Sequence, residues 1–343
     1  MKVTIKDIAR LCDVSVTTVS RVINHKTDNI GAKTVERIEK KIAELGYTPS
    51  NVARSMITGR SHTVGLIIPD VRNPFFSELA RGVEDYMNEH QYGVFLCNTD
   101  SSLEKEKQYI DLLKGRVSDG MLFTTQNRFE FSHYFHELIQ NEYPIVLIER
   151  YLEGVDTFPG VYFDNRGGAK KICDFIISKG HKNIACITGP LETTNAKMRL
   201  DGYLDALKEA AIPYDESLVI HGTYRYQSGY DCMKTLLEQN ERRGEDKKIT
   251  AIFASNDMMA YGAYKVLEEA GLVVPRDISI AGFDNIKFPD IFKPKLTTVE
   301  LPAYDMGKRA AEMLIRLMRK EELEEVTYEY PLEVVDKGSV GRV

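Results

Sequence analysis

The sequence lacks the features that mark membrane, secreted and disulfide-bonded proteins. No apolar run approaches the roughly 20 residues that span a bilayer. The first ten residues, MKVTIKDIAR, contain no apolar signal core, so we expect the protein to stay in the cytoplasm. The cysteines are odd in number and widely spaced, without a CxxC pair, which predicts small buried residues and neither disulfides nor a zinc site. They are Cys12, Cys97, Cys173, Cys186 and Cys232.

Common catalytic and cofactor motifs are also missing. The sequence has no GxGxxG, GxxxxGK[ST], GxSxG or HExxH pattern, so we expect no enzymatic activity and no cofactor. One cluster, His133 to Glu137, puts His133 and His136 on one helical face, but in an order that does not match HExxH. Surface histidines explain it better than a metal site. The C-terminal VVDKGSVGRV has no leucine heptad, which favours a dimer over a tethered tetramer.

Length and charge divide the chain. With 343 residues, of which 43% are hydrophobic, it is long enough for two or three domains. Residues 1–60 hold 11 Lys and Arg against 6 Asp and Glu, whereas residues 61–343 hold 34 against 45. A basic N-terminal region on an acidic body indicates that one end binds a polyanion.

Two short helices separated by a tight turn are predicted within TIKDIARLCDVSVTTVSRVIN. Thr4 is placed to cap the first helix, with Asp7 as its capping-box partner. A turn over 12–14 leads to Ser15, which is placed to cap the second helix. The side chains expected to point inward are Ile5, Ile8, Ala9 and Leu11 in the first helix, and Val19, Val22 and Ile23 in the second.

The outward face of the second helix is small, polar or basic and carries no acidic residue. It consists of Val16, Thr17, Ser20, Arg21 and Asn24. A recognition helix needs such a face, because phosphate repels carboxylates and arginine can bind a guanine edge in the major groove. An ordinary small helical bundle is the alternative, but spacing, capping and charge together favour a helix-turn-helix.

A third helix, from about residue 32 to 45, is predicted to end at Gly46. The segment YTPSNVARSMITGRSH follows, and a short helix over 51–57 is expected in it. Such a helix is too short to be stable alone in water. The composition changes here, so residues 50–60 are interpreted as a hinge between the head and the body.

From residue 62 onward, apolar strands alternate with helices. The predicted strands cover 63–69, 93–98, 120–125, 144–149, 160–163, 183–189, 217–222, 250–255 and 278–284. Continuous apolar strands joined by helices predict parallel sheets covered on both faces. Nine such units fit two α/β lobes better than one sheet. A helix over 303–319 and a strand near 328–335 complete the body.

Polar and aromatic residues collect where these strands end. Ligands of such folds bind outside the carboxyl ends of the strands. Planar polar groups can bind vicinal hydroxyls, and aromatic rings can cover the apolar face of a sugar, so the set predicts a monosaccharide site. It comprises Asp70, Asn73, Phe75, Phe76, Asn98, Asp100, Glu149, Arg150, Asn195, Arg199, Tyr224, Asn256, Asp257 and Asp284. Each also has a structural alternative, such as Asn256 starting a helix or Phe75 filling the core.

The motifs of the whole chain resemble the LacI/GalR family of bacterial transcription regulators. They are TIKDIARLCDVSVTTVSRVIN, LGYTPSNVARSM, GLIIPDVRNPFFSELARGVED, GPLETTNAKMRLDGY, AIFASNDMMAYGA, VPRDISIAGFDNIKF and PKLTTVELPAYDMGKRAAEML. Within the family, the pattern is most similar to ribose-type repressors and catabolite control proteins. The resemblance implies a homodimer that binds double-stranded operator DNA and is switched by a small molecule, expected to be a monosaccharide or a derivative.

The resemblance also implies the domain organisation. A helix-turn-helix domain would cover residues 1–49, a hinge helix 50–60, and an effector-binding and dimerisation body 61–340. The body would resemble periplasmic sugar-binding proteins. Its first lobe would contain residues 61–162 and 293–324, and its second lobe residues 163–292 and 325–340.

Site residues follow from the resemblance position by position. Val16, Thr17 and Arg21 would contact bases. Four residues would lie near phosphates: Ser15, Ser20, Asn24 and Arg54. Met56 stands where the family usually has a leucine that wedges into the minor groove.

In the cleft, the resemblance implies that Arg199 and Asp284 contact the effector, with Tyr224 covering it. The full expected effector set is Asn73, Phe75, Phe76, Glu149, Arg150, Arg199, Tyr224, Asn256 and Asp284. Glu149 replaces the usual Asp of ribose-type sites and Leu301 the usual Gln, so both reshape the pocket. Arg150 stands where purine-responsive members have Trp, which argues against a purine effector.

Three alternatives to a ligand-controlled repressor follow from the same sequence. A sugar-transport receptor would lack a DNA-binding head and carry a signal peptide. An enzyme on this scaffold would need a catalytic motif. A regulator that responds mainly to a phosphoprotein corepressor would not need the polar cleft residues.

Overall fold

The computed structural model describes residues 3–47, 59–124, 138, 141–150, 158–287 and 291–343. The chain divides into one unit of residues 1–62 and another of residues 63–343. Most of the predicted hinge helix over 50–60, with Arg54 and Met56, lies outside the described residues. The histidine cluster at 133–137 lies outside them as well.

The described residues of the N-terminal unit form three helices: α1 (Ile5–Leu11), α2 (Val16–Ile23) and α3 (Ala32–Glu44). The predicted capping box is present, since the backbone N–H of Thr4 donates to Asp7 at 3.0 Å and that of Asp7 donates to the Thr4 hydroxyl at 3.4 Å. Ser15 caps α2 by accepting from the N–H of Thr18 at 3.0 Å. Gly46, with φ of +57°, ends the third helical segment as predicted.

The core of this unit confirms most of the predicted inward face. Ile8, Ala9, Cys12, Val19, Val22 and Ile38 are buried. Leu11 was predicted to point inward and is 53% exposed, so that prediction was wrong. Cys12 takes the inward position instead, because it continues the stripe of Ile5 and Ile8 one helical turn further on.

The nine strands predicted for the body are all present. Two have the predicted bounds and seven are shorter, most of all the ninth, which covers 279–281 of the predicted 278–284. They are β1 (Thr63–Ile68), β2 (Gly93–Asn98), β3 (Met121–Phe123), β4 (Ile145–Ile148), β5 (Gly160–Phe163), β6 (Ile184–Thr188), β7 (Val219–His221), β8 (Ala251–Ala254) and β9 (Ser279–Ala281). Three more follow: β10 (Thr298–Glu300), β11 (Thr327–Tyr330) and β12 (Glu333–Val335).

Helices cover the faces of these strands. They are α4 (Pro74–Glu89), α5 (Leu103–Leu112), α6 (Asn165–Ser178), α7 (Thr194–Glu209), α8 (Tyr226–Glu241), α9 (Asp257–Glu269) and α10 (Ala303–Met318). A π-helical turn over Leu113–Val117 extends α5, and short 3-10 turns lie at Glu216–Leu218 and Glu245–Lys247. Among the described helices, none is both long and apolar enough to span a membrane.

The strands form two lobes, as the apolar pattern predicted. The first lobe is built on a parallel six-stranded sheet in the order β11-β5-β4-β3-β1-β2. The second is built on a parallel four-stranded sheet in the order β7-β6-β8-β9, beside an antiparallel pair of β10 and β12. Strands such as β8 are buried along their whole length, because helices cover both faces.

The strand pairing differs from the predicted lobe bounds in two places. Strand β11 pairs with β5 of the first lobe, although residues 325–340 were assigned to the second. Strand β10 lies beside β9 through bridges from residue 281 to 297 and from 284 to 300, although residues 293–324 were assigned to the first. The single strand predicted near 328–335 is therefore two strands in different sheets. Pro331 separates them, and a proline cannot donate to a sheet ladder.

Helix α10 belongs to the first lobe because it packs closely on α4. Gly82 and Gly307 make that approach possible. A Cβ atom at Gly82 would collide with the carbonyl oxygen of Tyr304, and one at Gly307 with the carbonyl oxygen of Leu79. The chain therefore crosses between the lobes after β5, before α10 and after β11, and the carboxyl ends of both sheets border one cleft.

Candidate functional site

The outward face of α2 is open to solvent in the N-terminal unit. Val16 is 40% exposed, and Thr17 is exposed as well, whereas Val19 and Val22 on the opposite side are buried. Arg21 uses its Nε to donate to the carbonyl of Lys26 at 3.3 Å. Its terminal nitrogens remain available, so this face can offer a guanidinium to a polyanion or to a base edge.

Two of the predicted phosphate contacts, Ser15 and Asn24, lie at the two ends of the same helix, Ser20 lies within it, and Arg54 is outside the described residues. Ser15 caps the N-terminus with its hydroxyl. Asn24 ends the helix and donates to the carbonyl of Ser20 at 2.7 Å. Their side chains are therefore fixed by the helix, and the N-terminal N–H groups of α2 point outward, where phosphate binds favourably.

A cavity of about 360 Å³ lies between the lobes, at the carboxyl ends of both parallel sheets. All nine residues of the predicted effector set line it. They are Asn73, Phe75, Phe76, Glu149, Arg150, Arg199, Tyr224, Asn256 and Asp284. Its size is in the range of sites that enclose small molecules.

Three of these residues have left-handed backbones, which are rare outside glycine. The φ angles are +70° at Glu149, +62° at Tyr224 and +125° at Asp284. Backbone bonds fix two of them, since the N–H of Glu149 donates to Val161 and that of Asp284 to Val299, each at 2.9 Å. Strained non-glycine residues that converge on one cavity indicate a functional site.

Aromatic rings form the apolar side of the cavity. Phe75 and Phe76 are each 5% exposed and meet edge to face, with ring centroids 5.0 Å apart. Asn73 caps α4 by accepting from the N–H of Phe75 at 3.1 Å, which places both rings at the start of the helix. Its amide nitrogen remains available to a ligand. Leu301 adds a further apolar surface at the position where a glutamine was expected.

Glu149 is the polar centre of the cavity floor and is buried. Its Oε2 accepts from Nε of Arg150 at 2.9 Å, and its Oε1 accepts from Nδ2 of Asn195 at 2.6 Å. Nη2 of Arg199 lies 3.9 Å from the same Oε1. Two buried arginines thus lie against one carboxylate, which gives the cavity floor a polar, charged surface for ligand hydroxyl or anionic groups.

Arg199 is held rigidly by its surroundings. Its Nε donates to Asn165 at 2.8 Å and its Nη1 to the carbonyl of Ser255 at 2.6 Å. The guanidinium lies 3.9 Å from the centroid of the Phe283 ring. Its Nη1 is also 3.5 Å from Oδ1 of Asp284, which joins the two predicted effector contacts into one pair.

Burial raises the pKa of the Asp284 carboxyl well above its ordinary value. The Arg199 guanidinium opposes that rise, whereas Asp257 and Glu149 add to it. Asp284 can therefore accept from a sugar hydroxyl as a carboxylate or donate to one as an acid.

Asp257 is a neighbouring carboxylate that holds the loop of Asp284. Its Oδ1 accepts from the hydroxyl of Thr298 at 2.6 Å, and its Oδ2 accepts from the N–H of Ile286 at 2.9 Å. Its own N–H donates to the carbonyl of Phe283 at 2.8 Å. Burial raises the pKa of Asp257 to about 6. Asp257 was predicted only as one of the polar residues where the strands end, and here it supports the loop of Asp284.

Asn256 and Tyr224 act as a pair. Asn256 caps α9 by accepting from the N–H of Met259 at 2.9 Å, and its amide donates to the carbonyl of Tyr224 at 3.0 Å. One amide hydrogen is left for a ligand. The Tyr224 hydroxyl is buried and has no hydrogen-bond partner among the described residues. Burial raises the pKa of Tyr224 to about 12, so the hydroxyl keeps its proton as a donor.

The comparisons with known proteins agree along the whole chain. The family described as "Bacterial regulatory proteins, lacI family" matches residues 4–50. The family described as "Periplasmic binding proteins and sugar binding domain of LacI family" matches residues 61–331. The chain belongs to the LacI family. It is accordingly a DNA-binding transcription regulator with an effector-binding body, and not an enzyme.

Named relatives of this LacI-family chain cover nearly its full length. It is 37% identical over 332 residues to catabolite control protein A of Priestia megaterium, covering 96% of this chain and 97% of the relative. It is 37% identical to the ribose operon repressor of Halalkalibacterium halodurans, and the match covers 97% of this chain and 95% of the relative. A lac repressor dimer bound to operator and an anti-inducer shares the fold, with a TM-score of 0.86 and 23% identity over 99% of this chain and 100% of that one.

Among the residues that line this cavity, Asn195, Arg72 and Arg225 were not in the predicted effector set. Asn195 had been included only among the polar residues at strand ends. Arg72 and Arg225 line the cavity mouth and were not considered at all. Their positions were the available signal, because Arg72 lies two residues after Asp70 and Arg225 directly follows Tyr224.

Proposed function

We propose that this LacI-family protein is a sugar-responsive repressor of a carbohydrate-utilisation operon. It binds a pseudo-palindromic operator as a homodimer, and a monosaccharide or a derivative in the cavity between the lobes switches it. The ligand shifts the equilibrium between lobe arrangements by its differential affinity for them. The segment 50–60 transmits that shift to the DNA-binding heads.

The observation that carries the effector half of this proposal is the composition of the cavity. Phe75 and Phe76 offer apolar faces on one side, and Arg150, Arg199 and Asp284 offer charged groups on the other. The C–H face of a sugar and its vicinal hydroxyls match these two sides. The relative named ribose operon repressor supports a sugar as the ligand class.

The DNA half rests on α2 and the charge of the head. Val16, Thr17 and Arg21 are proposed to read bases, and Ser15, Ser20 and Asn24 to lie near phosphates. Arg54 and Met56 are proposed to complete the interface from the hinge. One recognition helix reads few base pairs, so two heads on a two-fold symmetric site are required for specificity.

An edge strand supports the homodimer. Strand β2 is at the edge of the first-lobe sheet, and its Phe95 and Leu96 are each 47% exposed. Exposed apolar side chains on an unpaired edge favour association with another surface. We assign this edge to the contact between two copies of the chain.

A phosphoprotein corepressor is the second candidate, because catabolite control protein A is among the relatives. A regulator that relied mainly on a protein partner would not need a buried, polar and strained cavity. The residues of this cavity keep the groups that a sugar requires, so the small molecule remains the favoured signal.

A melting experiment on the full chain tests the proposal. An effector present at ~100 times its Kd should stabilise the folded body by about 2.7 kcal/mol. Asp284→Ala should abolish that stabilisation, because a buried ligand hydroxyl loses its partner. Asp201→Ala is the control, because Asp201 is an exposed residue of α7, the helix that also carries Asn195 and Arg199. The effector should stabilise this variant as much as it stabilises the wild type.

Operator binding is measured on the same variants. Asp284→Ala should keep the operator affinity of the unliganded protein and lose its response to the effector. Wild-type affinity should fall steeply with salt, because several Lys and Arg side chains displace counterions. If no sugar, sugar acid or sugar phosphate stabilises the wild type, the small-molecule half fails and the phosphoprotein candidate takes its place.

A further inference from the structure

Two arginines from opposite lobes lie at the mouth of the effector cavity. Arg72 follows β1 in the first lobe, and Arg225 directly precedes α8 in the second. The carboxylate of Asp70 lies between them. It accepts from Nε of Arg72 at 2.8 Å and from its Nη2 at 2.7 Å. Nε of Arg225 is 3.6 Å from Oδ2 of the same carboxylate. One carboxylate is therefore shared by two cations.

Arg225 makes fewer hydrogen bonds than Arg72. Its side chain is 53% exposed, and its distance to Asp70 exceeds that of a hydrogen bond. Among the described residues, no side-chain or carbonyl oxygen accepts a hydrogen bond from its guanidinium. An arginine has five N–H donors in a planar fork that matches a carboxylate or a phosphate. The fork of Arg225 is thus available to a ligand in the cavity.

Helix α8 adds a second positive feature at the same place. The helix has 16 residues, and no side chain caps its N-terminus at Arg225. Its first residues, Tyr226 and Gln227, line the cavity with Arg225. The first N–H groups of a helix have no partner within it and favour an anion. The guanidinium of Arg225 and the first turn of α8 therefore both favour an anionic group on the ligand.

The net charge of the cavity lining also favours an anionic ligand. Its described residues include four arginines, Arg72, Arg150, Arg199 and Arg225, against three carboxylates, Asp70, Glu149 and Asp284. The lining carries one excess positive charge even when every carboxylate is ionised. Deep in the cavity, Arg150 and Arg199 lie against the two carboxylates Glu149 and Asp284. At the mouth, Arg72 and Arg225 share the one carboxylate of Asp70, so the uncompensated charge is there.

We propose that the effector is an anionic sugar derivative, a sugar phosphate or a sugar acid, whose anionic group binds Arg225 and the first turn of α8. The inference rests on the proposed function, because it places the sugar ring against Phe75 and Phe76. Arg72 keeps Asp70 in place and adds positive charge beside the anion. The anionic group binds the second lobe while the ring contacts the first, so the ligand joins the two lobes.

Matched pairs of ligands test the inference on the full chain by calorimetry and thermal shift. The pairs are ribose with ribose 5-phosphate, glucose with glucose 6-phosphate, and glucose with glucuronate. Inorganic phosphate alone is a further arm. For at least one ring, the anionic member should bind at least tenfold more tightly than its neutral parent, and the glucuronate arm separates a carboxylate from a phosphate.

Arg225→Gln should then lower the affinity for that anionic ligand at least tenfold and leave the affinity for the neutral parent within twofold. The melting temperature of the unliganded variant should stay at the wild-type value, because the side chain is half exposed. Arg276→Gln removes an arginine that is 71% exposed and does not line the cavity, and it serves as the matched control.

Three results would overturn the inference. Neutral sugars that bind as tightly as their anionic derivatives would refute it and leave the proposed sugar response intact. An equal loss of both ligands in Arg225→Gln would assign the residue a general structural role. If no member of the panel binds, the proposed function fails and this inference fails with it.

Discussion

Asn195 of the second lobe donates a hydrogen bond of 2.6 Å to Oε1 of Glu149 in the first lobe, at the floor of the effector cavity. Both residues are 3% exposed, so water does not compete for this contact. Glu149 also holds Arg150 and lies 3.9 Å from Arg199. One carboxylate therefore connects the two lobes and lies against two buried guanidinium groups at the floor of the cavity.

Replacing Glu149 by glutamine should destabilise the body. The amide keeps one acceptor oxygen for the two donors of Asn195 and Arg150, and its NH₂ group faces one of them. We expect the free energy of unfolding in urea to fall by about 1–3 kcal/mol. Glu238→Gln changes an exposed glutamate of α8 and should shift it by less than about 0.5 kcal/mol. Equal effects of the two variants would show that Glu149 does not join the lobes.

Arg21→Ala should weaken binding to the operator by about 1–3 kcal/mol and relax the preference at one base pair in each half-site. The reason is that Arg21 uses its Nε in the hydrogen bond to Lys26, so its terminal nitrogens can bind one guanine edge. Affinities for the operator and for single-base variants of it measure this effect. A loss of the same size on every sequence would identify Arg21 as a phosphate contact and refute its assignment to base reading.

The sequence predicted the features that depend on local pattern. The Thr4 and Ser15 caps, the nine body strands and the nine effector residues around one cavity all follow from spacing, strand ends and family resemblance. These features were accessible because a cap, an apolar run or a strand end is defined by a few neighbouring residues. Leu11 was misplaced because Ile8 and Cys12 together define the buried stripe in so short a helix.

Features that depend on long-range pairing were missed. Nothing local indicates that residues 327–330 join β5 while 333–335 pair with β10, because the partners are far away in the sequence. The same holds for the cavity mouth. Asp70 and Arg225 are separated by more than 150 residues, and their approach to 3.6 Å is set only by how the lobes meet.

Leu96→Glu should shift the protein from dimer to monomer, because it places a charge on the exposed edge strand proposed as the contact between copies. Analytical ultracentrifugation measures the change. Operator affinity should fall at least tenfold, since a single head reads half of the site. Val273→Glu alters an apolar residue of similar exposure, 46%, in the second lobe and should remain dimeric. A Leu96→Glu protein that stays dimeric would place the interface elsewhere.

The buried carboxylate of Asp257 holds the loop that presents Asp284. Burial raises its pKa from 3.8 to about 6, so the folded protein holds this proton over a range where the unfolded chain has lost it. The proton stabilises the folded state, and that contribution is fully present below about pH 4. It is lost as the pH rises through about 6.

Asp257→Asn removes this titration. The wild-type free energy of unfolding should therefore fall relative to that of the variant between about pH 4 and pH 6, by on the order of 3 kcal/mol, and the difference should stay constant above that range. Urea unfolding at each pH, followed by circular dichroism, measures the difference. Asp246→Asn replaces an exposed aspartate, and its free energy of unfolding should change with pH in the same way as that of the wild type. A wild-type curve that gains stability relative to Asp257→Asn over this range would reverse the sign and show that Asp257 is stabilised as a carboxylate by its two donors.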